Sequence, residues 1–332
     1  MLRTSRPAVA LTCAGGLALI LASCSGGAAG TESETDGGAD STSSGPVTVR
    51  VSTLGFCDDP IVWGIDQGIF AEHGIEVELT TVQSGAAGVS ALQAGEIDIA
   101  YANPLTSLQA IDTGIDLQIL SGSSLSNETS NEVIVLADSD IQGAADLDGT
   151  TIALNALGGL AEILTAAWVA TEGDGAAVEF VAVPFADQVT SVENGTVASA
   201  EIGASQGAAA HEAGTIRSLG NPFFDGVGEI PTSFYVAPTE WTEANPDAAV
   251  SFAEAMTEVA ASANDDANDE ARFAVTAQAC GSTAEDLAAS AEPTYAGRLT
   301  VEQFETLTGL LADAEVIGAV DTDAVLPESA RA

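Results

Sequence analysis

Between residues 47 and 120 the chain switches repeatedly from runs with a period of two to runs with a period near 3.6. This alternation constrains the fold more than any other feature. Residues 47–54 are a β-rich run ending at Gly55. Asp59 then offers a helix cap with Pro60 at the first helical position, Ile61, Ile65 and Ile69 recur on one helical face, and Gly74 closes the helix. Ile75, Val77 and Leu79 alternate as a strand, and a helix over about 86–94 is stopped by Gly95. Residues 97–101 read as a strand, Asn103-Pro104 opens a helix that closes near Gly114, and 117–120 read as a further strand. Such a βαβαβ series implies a mostly parallel sheet covered by helices.

A second series begins after the Ser/Asn-rich stretch 121–131, with strands expected over 132–136, 150–154, 178–183 and 198–203 and a helix over about 161–170. The two series share a local pattern 100 residues apart: Ala91-Leu92-Gln93-Ala94-Gly95-Glu96-Ile97 and Ser191-Val192-Glu193-Asn194-Gly195-Thr196-Val197 each end a helix and start a strand. Two similar lobes are therefore expected. From Thr239 onward the chain reads as Ala- and Glu-rich helices, with Asn245-Pro246 and Thr283 as starts.

The N-terminus defines a compartment. Arg3 and Arg6 precede an almost wholly apolar run, and no acidic residue appears before Glu32. The run ends in Leu21-Ala22-Ser23-Cys24, which resembles the lipobox of bacterial lipoproteins. That resemblance implies a signal peptide over 1–23, acylation of Cys24 and an extracytoplasmic protein anchored to the cell membrane. Residues 24–47 are small and polar, a composition expected to remain a disordered tether.

Charge excludes several function classes. The chain has 49 acidic residues against 7 basic ones, all arginine, and a formal net charge of −42. Nucleic-acid binding needs clustered Lys and Arg and is not expected. Attraction to an anionic membrane is also excluded, so the lipid must do the anchoring. The absence of lysine rules out a Schiff-base enzyme and a Walker P-loop. Once the signal is removed and Cys24 is acylated, Cys57 and Cys280 remain. A disulfide between them is expected in an oxidising compartment, with two buried thiols as the alternative. No zinc-ligand spacing is present, and neither a metal nor a cofactor is expected.

Several motifs together resemble the substrate-binding lipoproteins of ABC importers in the nitrate, sulfonate, taurine and thiamine-precursor group (NMT1/THI5-like, SsuA-like). They are Gly64-Ile65-Asp66-Gln67-Gly68-Ile69-Phe70, Ser84-Gly85, the run from Ala91 through Glu96-Ile97-Asp98-Ile99-Ala100, Asp146-Leu147-Asp148-Gly149 and Trp241-Thr242-Glu243-Ala244-Asn245-Pro246-Asp247. The resemblance spans about 48–325. It implies an α/β chain with the type II periplasmic-binding-protein fold: two lobes, a ligand cleft and two crossover hinges, near 121–131 and 229–235. The corresponding division is lobe I over 48–122, lobe II over 123–232, and a return to lobe I with C-terminal helices over 233–332. It also implies a monomer that captures a small molecule and presents it to permease subunits, without enzymatic activity. The eukaryotic thiamine-precursor synthases of this superfamily use an active-site lysine, so their activity does not carry over.

In open α/β sheets ligands sit beyond the carboxyl ends of the strands, where helix N-termini point. On lobe I that rule selects Phe56, Asp58, Asp59, Ser84, Gly85, Tyr101 and Asn103. On lobe II it selects Asn155, Gly158, Phe185, Asp187 and Ser205, with Thr232 and Ser233 at the return crossover. Asp58 and Asp59 can be read as an acid/base pair or, more simply, as helix capping beside a ligand loop. Gly203-Ala204-Ser205-Gln206-Gly207 matches a hydrolase nucleophile elbow, which makes a serine esterase the remote rival. Its only downstream histidine, His211, falls on the same predicted helix, whereas a triad needs one returning from elsewhere. Arg217 is read as a strand start and Arg50 as lying away from the cleft, so no arginine is expected to meet an anion. The aromatic residues therefore favour a neutral or cationic heteroaromatic ligand of pyrimidine type, with a sulfonate- or nitrate-type anion as the alternative.

Overall fold

The computed structural model describes residues 45–332. The expected signal, Cys24 and the tether up to residue 44 lie outside the described residues. The first series forms β1 (Val47–Thr53), α1 (Ile61–Asp66), α2 (Ile69–Glu72), β2 (Ile75–Thr81), α3 (Gly85–Gln93), β3 (Ile99–Ala102), α4 (Pro104–Asp112) and β4 (Leu117–Leu125). The second forms β5 (Asn131–Leu136), β6 (Thr151–Leu154), α5 (Leu160–Glu172), β7 (Glu179–Ala182), α6 (Phe185–Glu193), β8 (Ser199–Gly203), α7 (Ala204–Ala213) and β9 (Ile216–Gly220). The chain then returns through β10 (Pro231–Pro238) and α8 (Thr239–Ala244) to α9 (Pro246–Ala263), α10 (Asp269–Cys280) and α11 (Ala284–Ala288). It ends with β11 (Thr294–Tyr295), α12 (Val301–Asp313) and α13 (Thr322–Val325).

Two sheets result, with strand orders β2-β1-β3-β10-β4-β11 and β7-β6-β8-β5-β9. In each, three neighbouring parallel strands are followed by an antiparallel strand supplied by the crossover region, β10 in lobe I and β5 in lobe II. The first five strands of lobe I thus repeat the order of lobe II. The sheets are mixed, not purely parallel, because each crossover strand runs against its neighbours.

The expected helix over 61–74 is two short helices. Gly68 adopts a left-handed φ of 73° between them, and Ile65, expected on the buried face, is 38% exposed. Gly64 is needed for close packing, since a Cβ there would lie 2.3 Å from a Val259 methyl on α9. The Ser-rich stretch expected as a hinge begins instead as sheet: β4 continues through Leu125, and its buried Ser121 Oγ donates to Gly297 O at 2.9 Å. Likewise β10 already starts at Pro231, so the connections between the sheets narrow to residues 126–130 and 221–230. They are stitched together by Ser126 N–H to Ile230 O at 2.9 Å and Asn221 Nδ2 to Asn127 O at 2.8 Å. Two further corrections are small. Val47 is in the sheet, with its N–H bonded to Gly74 O at 2.8 Å, and not in the tether. The strand β11 interrupts a region expected to be helical and pairs antiparallel with β4.

Lobe I has the heavier core. Leu108, Ile119, Phe234, Val236, Phe304 and Leu307 fill one side of its sheet, and Val51, Ile61, Tyr235, Phe252, Met256 and Val259 the other. The clusters of lobe II are smaller and centre on Val192, Ile202 and Ile216, and on Leu147, Ile152 and Trp168.

Candidate ligand-binding site

A cavity of about 740 Å³ opens between the two sheets. Lobe I lines it with Phe56, Cys57 and Asp58 after β1, Asn103 at the start of α4 and Thr232 at the start of β10. Lobe II contributes Asn131, Phe185, Gly203, Gln206 and Phe223. A third wall comes from Arg272 and Phe273 on α10 and from the segment between α10 and β11, including Glu292 and Tyr295. Local capping explains how some of these side chains are held. Asn103 Oδ1 accepts from Thr106 N–H at 2.9 Å, and Gln206 Oε1 accepts from Gly203 N–H at 2.9 Å. Phe56 and Phe185 are 53% and 51% exposed, an unfavourable placement for two large apolar rings in the wall of a cleft.

Of the residues expected from the strand-end rule, Phe56, Asp58, Asn103, Phe185 and Thr232 line this cavity. Asp59, Tyr101 and Ser233 turn inward instead. Asp59 is buried, accepting from Thr53 Oγ1 at 2.6 Å, from Ile61 N–H at 3.2 Å and from the Tyr235 hydroxyl. Burial pushes its carboxyl up to about 6, partly opposed by those donors. Tyr101 is 2% exposed and packs edge-on behind Phe56 with ring centroids 6.3 Å apart. Ser233 Oγ lies 2.5 Å from Ser124 Oγ inside the sheet. Ser84 caps α3 by accepting from Ala87 N–H at 3.2 Å, and Gly85 packs under Thr106 in the next helical position, both away from the cavity lining. Asn155, Gly158 and Asp187 are exposed outside the lining, and Ser205 lies in the first turn of α7.

His211 shares α7 with Ser205, and its Nε2 lies 2.8 Å from Glu132 Oε1, while His73 Nε2 lies 3.0 Å from Glu258 Oε2.

Arg272 overturns the expectation that no arginine meets the cleft. It is 3% exposed and lines the cavity, and both terminal nitrogens of its guanidinium are already committed, while its buried Nε has no partner among the described residues. Nη2 donates to Glu292 Oε2 at 2.8 Å and Asp269 Oδ1 at 2.7 Å, and Nη1 donates to Glu292 Oε1. The cation also lies 4.6 Å from the centroid of Phe273 and 5.4 Å from that of Tyr295. Asp58, by contrast, receives no hydrogen bond from another side chain among the described residues, and burial raises its pKa, partly offset by a bond to its own backbone. On the lobe II side, Asn131 Nδ2 donates to Glu201 Oε1 at 3.0 Å, and burial pushes that carboxyl up to about 7.

The third wall does not follow from strand ends, because it comes from the helical return. One sequence signal pointed to it. Cys280 closes α10, and in the structure it is bonded to Cys57 in the ligand loop, with Cα atoms 5.1 Å apart. Pairing these two cysteines necessarily brings α10 beside Phe56 and Asp58.

Two mixed sheets of this order, with a cavity between them, define a type II periplasmic-binding-protein fold. Among solved structures with this fold, the aliphatic sulphonate-binding protein SsuA of Escherichia coli aligns with a TM-score of 0.68 at 17% identity, covering 82% of this chain and 94% of that one. The nitrate-binding protein NrtA of Synechocystis PCC 6803 aligns at 0.62 and 16% identity, covering 85% and 86%. A ligand-binding component of an ABC-type import system from Staphylococcus aureus, solved with zinc bound, aligns at 0.64 and 12% identity, covering 86% and 100%. No curated protein sequence matches. The family model described as NMT1/THI5 like matches residues 59–269, and the chain belongs to that family.

Proposed function

We propose that this chain is an extracytoplasmic solute-binding protein that captures a flat, pyrimidine-like heteroaromatic compound between its lobes and presents it to the permease of an ABC importer. It acts as a monomer, held at the membrane by a lipid on Cys24. The observation that carries the ligand class is the pair Phe56 and Phe185: one exposed ring from each lobe, both lining one cavity. Closure of the lobes buries both rings against a planar solute, and ring burial is a large favourable term. The transport role is supported by the family and by the fold shared with binding components of import systems.

A second reading, capture of a sulfonate or nitrate, is favoured by Arg272 in the cavity wall and by the ligands named for the Escherichia coli and Synechocystis proteins. The two carboxylates that hold Arg272 argue against it, because an anion would have to displace them. A thermal-shift screen of aminopyrimidines and alkanesulfonates separates the two. A site saturated a hundredfold above Kd stabilises by about 2.7 kcal/mol. Stabilisation by alkanesulfonates alone reverses the ligand assignment. In the same work, Cys24→Ala in the full chain is expected to release the protein from membranes, and retention would remove the anchor from the proposal.

A further inference from the structure

Three features of the cavity, taken together, constrain the charge of what fills it. Arg272 is the cation in its wall, and Glu292 and Asp269 occupy its guanidinium with three hydrogen bonds. The rings of Phe273 and Tyr295 also lie close to it, with centroids 4.6 Å and 5.4 Å from its Cζ. Asp58 stands in the same wall, half-buried, with no side-chain donor among the described residues and with Asp59 as its immediate neighbour. Both carboxyls make this end of the cleft favourable for a positive charge. Asp59 is satisfied inside the sheet, so Asp58 remains to be countered from the cavity.

The open rings of Phe56 and Phe185 add to this. An aromatic face attracts a cation through its quadrupole, most strongly when the site is desolvated, as it becomes on closure. A neutral solute would leave the Asp58 carboxylate buried and unpaired when the lobes close, and an anion would add repulsion to that cost.

We infer that the solute is an organic cation, a protonated or quaternary nitrogen on a flat ring system, whose charge is paired with Asp58 between the rings of Phe56 and Phe185. This rests on the solute-binding reading above and names the residue that sets its charge selectivity.

The test uses three probes that share one ring and differ in charge: benzamidine, cationic at pH 7, benzamide, neutral, and benzenesulfonate, anionic. Their affinities for the full chain are measured by calorimetry, with Asp58→Asn as the paired variant. The expected result is that benzamidine binds at least tenfold more tightly than benzamide, that benzenesulfonate binds weakest, and that Asp58→Asn reduces the benzamidine-to-benzamide ratio to about one. The wild-type ratio decides the charge of the solute even if the variant fails to fold. Equal binding of benzamidine and benzamide, or a preference for benzenesulfonate, overturns the cation assignment while leaving a solute-binding cleft. A tenfold preference that persists in Asp58→Asn overturns the role of Asp58. Failure of all three probes to bind at millimolar concentration overturns the aromatic capture on which both proposals stand.

Discussion

Lobes I and II have the same strand order, yet they are built to different weights. In lobe I a continuous file of rings runs inward from the cleft: Phe56 to Tyr101 at 6.3 Å, Tyr101 to Tyr235 at 5.5 Å, Tyr235 to Phe252 at 5.5 Å and Phe252 to Phe70 at 5.7 Å. Among the described residues lobe II has no such ring pair, and its core is made of small aliphatic clusters beside Trp168. Lobe I also takes the returning helices and the Cys57–Cys280 bond. One topology thus serves two purposes. A heavily packed lobe holds the ligand loop in place, while a lighter lobe offers one exposed ring, Phe185, from the start of α6.

The largest test of this contrast is the disulfide. It joins two elements of lobe I but closes a loop of 223 residues that contains all of lobe II. Chain-entropy arguments give roughly 5 kcal/mol for a loop of this size, so Cys57→Ser with Cys280→Ser is expected to lose about 3–5 kcal/mol in urea unfolding. A loss below about 1 kcal/mol would show that packing alone holds the ligand loop. Next comes the ring file. Phe252 is fully buried, and Phe252→Ala should cost about 3–5 kcal/mol, whereas Val192→Ala at the centre of the lobe II core should cost about 2. Equal losses would break the contrast between heavy and light lobes.

The smallest effect sharpens the comparison through pH. Asp59 in lobe I and Glu201 in lobe II both have folded-state pKa values above their ordinary ones, at about 6 and about 7. Between roughly pH 4 and 7 the folded chain therefore binds more protons than the unfolded chain, and stability falls as pH rises through that window. Each group contributes at most about 3 kcal/mol to that fall. Glu201→Gln should flatten the upper part of the curve and leave the lower part, due to Asp59, in place. Superimposable stability–pH curves for the two proteins would remove Glu201 from the account.

Much of the fold was legible wherever apolar periodicity marked it. The paired junctions at 91–97 and 191–197 recur in detail: Gly95 and Gly195 both have φ of 67°, and Gly95 N–H to Leu92 O at 3.0 Å is repeated by Gly195 N–H to Val192 O at 2.9 Å. The extension of β4 over 121–125 was not legible, because short hydroxyl residues carry no apolar alternation. Their burial depends on partners such as Ser233 and Gly297 that are distant in sequence. The same reason divides the site. Phe56, Asp58, Asn103, Phe185 and Thr232 follow from strand ends, whereas Arg272, Glu292 and Tyr295 reach the cavity only through the packing of the helical return. Asp59 and Tyr101 sit at strand ends too, and it is their bonds and ring contacts within lobe I that turn them away from solvent.

The insertion of β10 between β3 and β4 has a consequence for how the molecule is made. Residues 99–102 must wait for residues 231–238 before their sheet is complete, while lobe II is contiguous from 131 to 220. A chain emerging N-terminus first therefore finishes its second lobe before its first, and β3 and β4 stay open-edged until the return strand arrives. Lobe I, with the larger apolar core, is therefore the last to close, and it does so only when nearly three quarters of the chain has emerged.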